Sequence, residues 1–299
     1  MSALLERADR RWAQLAAERP DILRALSLNR RLLTRQIALV EDPDLLDVQR
    51  PLADRADVRQ WLRRGMPVLS WLPHPRLPLD RLTAAMTDFL DHLAWGGAGE
   101  AARKIARALA AGTLDSDAAV RASLARDDAA ARRLAAGQGL NLPVLWLAVD
   151  LTVAPAAHRL QRAVLEDQAD EGVRDAVAQW RRGQCPACGS WPAMAEFFLA
   201  ERLNRCAFCA CAWPFAGGCT YCGESGAGFR TIALDPSAPG RRLELCRRCG
   251  GYLKTIDVER PMPFPLLAIE DLATSDLDTA AARHGFRRMA LSDARRSAD

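Results

Sequence analysis

Eight cysteines fall into four pairs of one spacing: Cys185-Pro-Ala-Cys188, Cys206-Ala-Phe-Cys209, Cys219-Thr-Tyr-Cys222 and Cys246-Arg-Arg-Cys249. Two intervening residues let a tight turn bring both sulfurs about 4 Å apart, the edge of a tetrahedron built on metal–sulfur bonds of about 2.3 Å. One pair supplies half a tetrahedral site, so four pairs supply two metal ions. Sequential order places Cys185, Cys188, Cys206 and Cys209 in a first site and Cys219, Cys222, Cys246 and Cys249 in a second. The intervening 17 and 23 residues are each long enough for a hairpin that returns one knuckle to face the other. Crossed or nested pairing stays open, but it would entangle the short link from Cys209 to Cys219. Glycine follows three of the knuckles, where a left-handed backbone is wanted, and Ala210 follows the second.

Other cysteine chemistry fits less well. A thioredoxin-like centre uses one exposed pair at a helix N-terminus after a strand, and no βαβ pattern surrounds these four. Iron–sulfur spacings such as Cys-x₂-Cys-x₂-Cys are absent. Free core cysteines would not repeat one spacing four times. Four thiolates suit zinc or a single iron, and geometry alone does not separate them. A divalent ion leaves each site at a formal charge of −2, which Arg205, Arg247 and Arg248 are placed to offset in part. The ninth cysteine, Cys211, reads as a small buried side chain, with an alternative ligand or a reactive thiol as the second reading.

The elements that position these knuckles divide the chain in two. All nine cysteines lie between positions 185 and 249, and the preceding residues read as helix. From Asp80 to Leu93, with Asp80 as N-cap, Leu82, Met86, Phe89, Leu90 and Leu93 recur at helical spacing. Similar stripes join Leu5, Ala8, Trp12 and Leu15, and Ile22, Leu26, Leu33 and Ile37. The Ala-rich stretches Glu100–Ala111 and Asp117–Ala136 favour helix, and prolines at 43, 51, 73, 75, 78, 143 and 155 punctuate the region. Seven or eight helices packed as a bundle are expected. From Cys185 to about Asp257 the short runs and frequent glycines predict strands joined by knuckle turns. Ala268–Leu272 and Asp276–His284 return to helical patterning, and the final polar residues are expected to fray. The fold class is therefore α+β. An all-α domain spans 1–180, rubredoxin-like or zinc-ribbon modules span 181–215 and 216–260, and a short helical segment spans 261–299.

Composition sets outer limits. The chain has 299 residues, 49% of them hydrophobic, enough for a packed core. Its net charge is +4, from 41 basic and 37 acidic residues, which does not describe a strongly basic nucleic-acid binder. The opening residues become charged at Glu6 before any apolar signal region forms, and the most apolar stretch, Leu142–Ala157, is too short to span a bilayer. A cytoplasmic protein without membrane insertion is expected, in a compartment that keeps thiols free for metal. His74, His92, His158 and His284 have no metal-ligand spacing. Asp150 inside the apolar run calls for an Arg or helix-terminus partner. No Gly-rich phosphate loop, nucleophile elbow or paired-carboxylate signature is present, so the sequence reads as a binding or assembly protein and not an enzyme.

The knuckles and their surroundings resemble the FdhE family of formate dehydrogenase accessory proteins. The resemblance rests on Cys-Pro-Ala-Cys-Gly-Ser-Trp-Pro (185–192), Trp213, Cys246-Arg-Arg-Cys-Gly-Gly-Tyr-Leu-Lys-Thr-Ile-Asp257, Ile269-Glu-Asp-Leu-Ala273 and His284-Gly-Phe286. It implies a cytoplasmic, non-enzymatic protein that binds the formate dehydrogenase catalytic subunit before export. It also favours iron over zinc in the thiolate sites. Ala216-Gly-Gly-Cys219 lacks the arginine usual before the third knuckle, and Cys211 stands where another residue is usual. Tyr252 and Lys254, directly after the last knuckle, are candidates for a client-binding surface; the plainer reading is a strand that closes the ribbon. Two other functions stay in view. One is a zinc-ribbon nucleic-acid binder using Arg241, Arg242, Arg247 and Arg248, against which Glu244 and the scarcity of stacking aromatics argue. The other is a rubredoxin-type electron carrier.

Overall fold

The computed structural model describes residues 2–46, 52–72 and 77–290. His74, prolines 51, 73 and 75, and the polar C-terminal run lie outside them. Helices α1 (Ala3–Glu18) and α2 (Leu23–Glu41) form a hairpin, followed by α3 (Arg55–Arg63), α4 (Leu79–Leu93) and α5 (Gly99–Ala110). Next come α6 (Ser116–Leu124), α7 (Asp128–Ala136), α8 (Leu142–Arg162) and α9 (Glu171–Ala178). The nine α-helices among the described residues before Cys185 exceed the seven or eight expected there. The Ala-rich run 117–136 accounts for part of the difference, because it breaks where Arg126 takes φ +54°. Asp115 and Asp127 cap the N-termini of α6 and α7 on either side. Asp80 is not the cap of α4; Pro78 occupies that position and Asp80 sits in the first turn, where its charge favours the helix dipole. The α4 stripe is buried as its spacing requires.

Helix α8 runs through the centre, against α2, α4 and α6. Pro155 lies inside it and has no N–H to give the carbonyl of Leu151. Gln36 of α2, itself buried, donates its side-chain amide to that carbonyl at 2.9 Å. The orphaned acceptor thus becomes a cross-link between two helices.

The second half forms one six-stranded sheet. Its strands are β1 (Pro192–Phe198), β2 (Glu201–Cys206), β3 (Ala212–Pro214), β4 (Phe229–Ala233), β5 (Arg241–Cys246) and β6 (Tyr252–Asp257), in the order β3-β2-β1-β6-β5-β4. Neighbours pair antiparallel except at the central seam, where β1 and β6 run parallel from Met194↔Lys254 to Phe197↔Asp257. Each half of the sheet repeats one order: knuckle, strand, a strand that ends on the third cysteine, knuckle, strand. Helices α10 (Phe264–Ala273) and α11 (Ser275–Arg283) follow. Ile269 and Ala273 of α10 pack with Trp12, Leu15, Leu26, Leu33 and Ile37, so the C-terminal segment closes on the first helical hairpin.

The main core is continuous from the helices into the first knuckles, taking in Cys185, Cys188, Cys206, Cys209 and Trp213. The 3₁₀ turn Val68–Ser70 docks there, with the Val68 and Leu69 amides donating to the carbonyls of Pro186 and Ala187 at 2.9 and 2.8 Å. No helix among the described residues is long and apolar enough to cross a membrane.

Candidate metal centres

Each knuckle is built the same way. The amide of its first cysteine donates to the carbonyl five residues on: Cys185 to Ser190, Cys206 to Cys211, Cys219 to Glu224 and Cys246 to Gly251, all between 2.8 and 3.0 Å. Closing so tight a turn needs a left-handed residue just after the second cysteine. Gly189, Gly223 and Gly250 take φ of +80°, +74° and +70°, and Ala210 takes +57° despite its Cβ. The fold of the turn therefore dictates Ala210's conformation, and its side chain is retained in an apolar contact with Met194, Ile256 and Leu267.

The turns gather the eight thiols into two clusters, Cys185–Cys188–Cys206–Cys209 and Cys219–Cys222–Cys246–Cys249, in the sequential pairing. In the first, Sγ atoms lie 3.6 Å apart for Cys185 and Cys209, 3.4 Å for Cys188 and Cys206, and 3.7 Å for Cys188 and Cys209. In the second, Cys219 and Cys249 are 3.7 Å apart, and Cys222 and Cys246 3.5 Å. A tetrahedron with metal–sulfur bonds of about 2.3 Å has edges of about 3.8 Å, so both sets fit a four-thiolate metal ion. Backbone amides support negative sulfur: Ala187 donates to Cys185 Sγ, Phe208 and Cys209 to Cys206 Sγ, and Tyr221 to Cys219 Sγ, at 3.3–3.4 Å.

Proton affinities within the clusters follow the same logic. Burial raises the thiols of Cys185, Cys206 and Cys209. Burial also acts on Cys188, but hydrogen bonds from the other three cysteines and the charge of Arg126 outweigh it and hold that thiol well below its usual range. In the second cluster the hydrogen bond from Cys219 brings Cys249 down to about 5, while burial pushes Cys222 up to about 11.

The surroundings of the two clusters differ. All four cysteines of the first are buried, whereas Cys222 and Cys249 of the second are half-buried. Arg126, absent from the sequence expectation, is the cation beside the first cluster and acts on Cys188 and Cys206. Arg205, expected in that role, instead pairs with Glu196 at 2.6 Å and donates to the Met262 carbonyl. Arg247 and Arg248 are exposed on the last knuckle, and Arg248 lies 3.8 Å from Glu224. His158 is also an unforeseen neighbour. Its Nδ1 donates to the carbonyl of Cys209 at 3.0 Å and its ring stacks on Phe264, while burial lowers its pKa. His92 and His284 belong to neither cluster, and Cys211 is buried outside the two ligand sets, its thiol 3.6 Å from the Ala212 carbonyl.

Tyr252 and Lys254 are on β6 but not at the surface. Lys254 Nζ is 2.7 Å from Asp271 Oδ1 and 2.8 Å from Asp278 Oδ2, with its side chain fully covered. The Tyr252 hydroxyl donates to Asp278 at 2.8 Å. Both residues brace α10 and α11 against the sheet, so the expectation of an open client surface there gives way to the strand that closes the ribbon. Arg241 pairs with Asp276 and Arg242 with Asp257, which removes half of the basic cluster that a nucleic-acid reading required.

The fold and site define a class: a helical protein carrying two zinc-ribbon-like four-cysteine centres on one sheet and closing with helices. No family model matches the sequence. Among curated proteins, the chain is 40% identical over 119 residues to a Protein FdhE homolog of Pseudomonas putida, covering 36% of each. It is 33% identical over 112 residues to a homolog of Stutzerimonas stutzeri, again 36% of each. It is 27% identical over 154 residues to Protein FdhE of Escherichia coli O127:H6, covering 50% of this chain and 46% of that one. The matches therefore span less than half the length of these relatives. The crystal structure of the FdhE protein from Pseudomonas aeruginosa is similar over 95% of this chain and 92% of that chain, with 27% identity and a TM-score of 0.57. These relatives and this structure support the FdhE family for the chain.

Proposed function

We propose that the chain is a cytoplasmic accessory factor for formate dehydrogenase, which binds the catalytic subunit before export and is not itself an enzyme. The observation that carries this reading is the correspondence with the FdhE crystal structure along nearly the whole chain, including the sheet that bears both cysteine clusters. In this reading the eight clustered cysteines hold two metal ions, iron in preference to zinc. When bound, the metal supplies a fixed tetrahedral cross-link. The chain's own residues do the rest: amides and Arg126 stabilise the thiolates, and the joined sheet presents a rigid body to the client. With Tyr252 and Lys254 covered by α10 and α11, client contact falls to surfaces other than the last knuckle's strand.

The test is purification of the tagged full-length chain from a host that makes a respiratory formate dehydrogenase. Co-purification of the catalytic subunit is expected, with loss of it in Cys206→Ser and Cys246→Ser. Metal-loaded chain that recovers no such subunit overturns the reading. Elemental analysis with a visible spectrum of anaerobically purified protein decides the metal: a coloured, iron-loaded chain is expected, and a colourless, zinc-loaded one removes iron and electron transfer together.

A further inference from the structure

We propose that the two centres differ in kind. The first is a closed centre loaded once, and the second is an exchange-competent centre through which a thiophilic divalent ion enters and leaves the folded protein. This rests on the reading of both clusters as metal centres.

Ligand exchange at a four-thiolate ion begins when an incoming donor reaches the metal. One metal–thiolate bond breaks as a metal–donor bond forms, and the released thiolate takes up a proton from water. No electron is transferred. The first step needs an open edge on the tetrahedron, and a route for water to the departing sulfur.

The first cluster offers less of both: a cavity of about 260 Å³ is lined by Cys206, Ala207 and Phe208, but the cluster presents no exposed edge. Its cysteines are 0 to 2% exposed. Both of its knuckles are tied to the helices: the Val68 and Leu69 amides hold the carbonyls of Pro186 and Ala187, His158 holds the carbonyl of Cys209, and Trp213 Nε1 donates to Arg182 at 3.3 Å. Its counter-charge is internal. The Arg126 side chain is 8% exposed and lies over the Phe208 ring, its guanidinium carbon 4.0 Å from the centroid. A cation held away from water keeps its hold on thiolates that an exposed one loses to screening. Displacing the other three ligands, Cys185, Cys188 and Cys209, requires opening the main core.

The second cluster has the opposite character. Cys222 and Cys249 are half-buried and reach the surface. Gly223 and Gly250, beside these two cysteines, have open space where a side chain would stand. Arg247 and Arg248, inside the last knuckle, are exposed, where water screens their charge. Cys222 and Cys249 lie at the margin of their apolar cluster and are part-exposed, so a donor can approach that edge.

The experiment loads the full-length chain with zinc, measures zinc per chain, then adds excess 4-(2-pyridylazo)resorcinol and follows its absorbance. Two equivalents are expected, one released at least about tenfold faster than the other. Cys249→Ser should lose the fast equivalent and keep the slow one. Arg126→Gln should speed the slow equivalent about 10–100-fold, and Arg126→Lys, which keeps the charge, should largely restore it. A chain that holds two equivalents and releases them at one rate overturns the proposal while leaving the metal centres standing. Loss of the slow equivalent in Cys249→Ser also overturns it. A chain that holds neither zinc nor, under anaerobic loading, ferrous iron overturns both readings.

Discussion

Arg126 and Asp150 meet in a two-point ion pair, Nη1 to Oδ1 at 2.7 Å and Nη2 to Oδ2 at 2.9 Å, beneath the first cysteine cluster. Ser123 also donates to Asp150 Oδ1, at 2.7 Å. The arginine is 8% exposed and the aspartate 21%, so the arginine has little water to take the place of its partner. Asp150→Ala would strand the guanidinium between Phe208 and Trp146. A loss of about 3 kcal/mol is expected, the low end for breaking a buried pair because Asp150 keeps some solvent. Urea denaturation of metal-loaded protein checks it, and a loss below about 1 kcal/mol would mean that the thiolates alone balance Arg126.

That pair illustrates what the sequence makes legible. A carboxylate inside an apolar run demands a partner of opposite charge, so the kind of partner follows from Asp150 alone. Which arginine does not, because Arg126 reaches it from a left-handed break between α6 and α7 that helix propensity hides. The cysteine grouping is legible because metal–sulfur geometry fixes the spacing of ligands. The parallel β1–β6 seam is not, since it joins segments about 60 residues apart with no local turn to announce it. Lys254 misled for a similar reason: Asp271 and Asp278 lie 17 and 24 residues further on, and only the return of α10 and α11 buries it.

Gly183 connects the helices to the first knuckle and runs against the second module. A Cβ at this position would fall 1.7 Å from the carbonyl oxygen of Thr220 and 2.8 Å from its carbonyl carbon. Those are backbone atoms inside the third knuckle, so no rotamer change relieves the clash. Gly183→Ala should destabilise the protein by more than about 2 kcal/mol, with thermal melting as the readout. Gly97→Ala is the control, since its Cβ would meet nothing within 4 Å; it should cost only about 1–2 kcal/mol, from backbone strain at φ +123°.

The β1–β2 hairpin turns through Leu199 and Ala200 with φ of +47° and +65°. Two consecutive left-handed residues are the signature of a turn that prefers Asn-Gly. Leu199 is 81% exposed, so its side chain offers little packing in return. Leu199→Asn with Ala200→Gly should stabilise the chain by about 1 kcal/mol through relief of this strain, seen as a higher denaturation midpoint. No gain would imply that the exposed leucine makes a compensating contact in solution.

The C-terminal helices are held to the sheet by a charge cluster that titrates in acid. Asp271 accepts from Lys254 and Arg288, and Asp278 from the same two residues and Tyr252. Burial pushes the Asp271 carboxyl up, but the charges and hydrogen bonds of Lys254 and Arg288 prevail and hold it below its ordinary value of 3.8. A carboxyl whose folded pKa is depressed stabilises the fold above its unfolded value, and that contribution is lost as pH falls through the folded one. The contribution is therefore complete above about pH 5 and fades below about pH 4. Asp271→Asn should lower the melting temperature at neutral pH and flatten its decline between about pH 4 and pH 2, relative to the unsubstituted protein. The melt must be followed in the α10–α11 segment, by amide exchange, because protonated cysteines release metal in the same acid range. Parallel acid profiles for Asp271→Asn and the unsubstituted chain in that segment would show that the clamp contributes nothing to holding the helices.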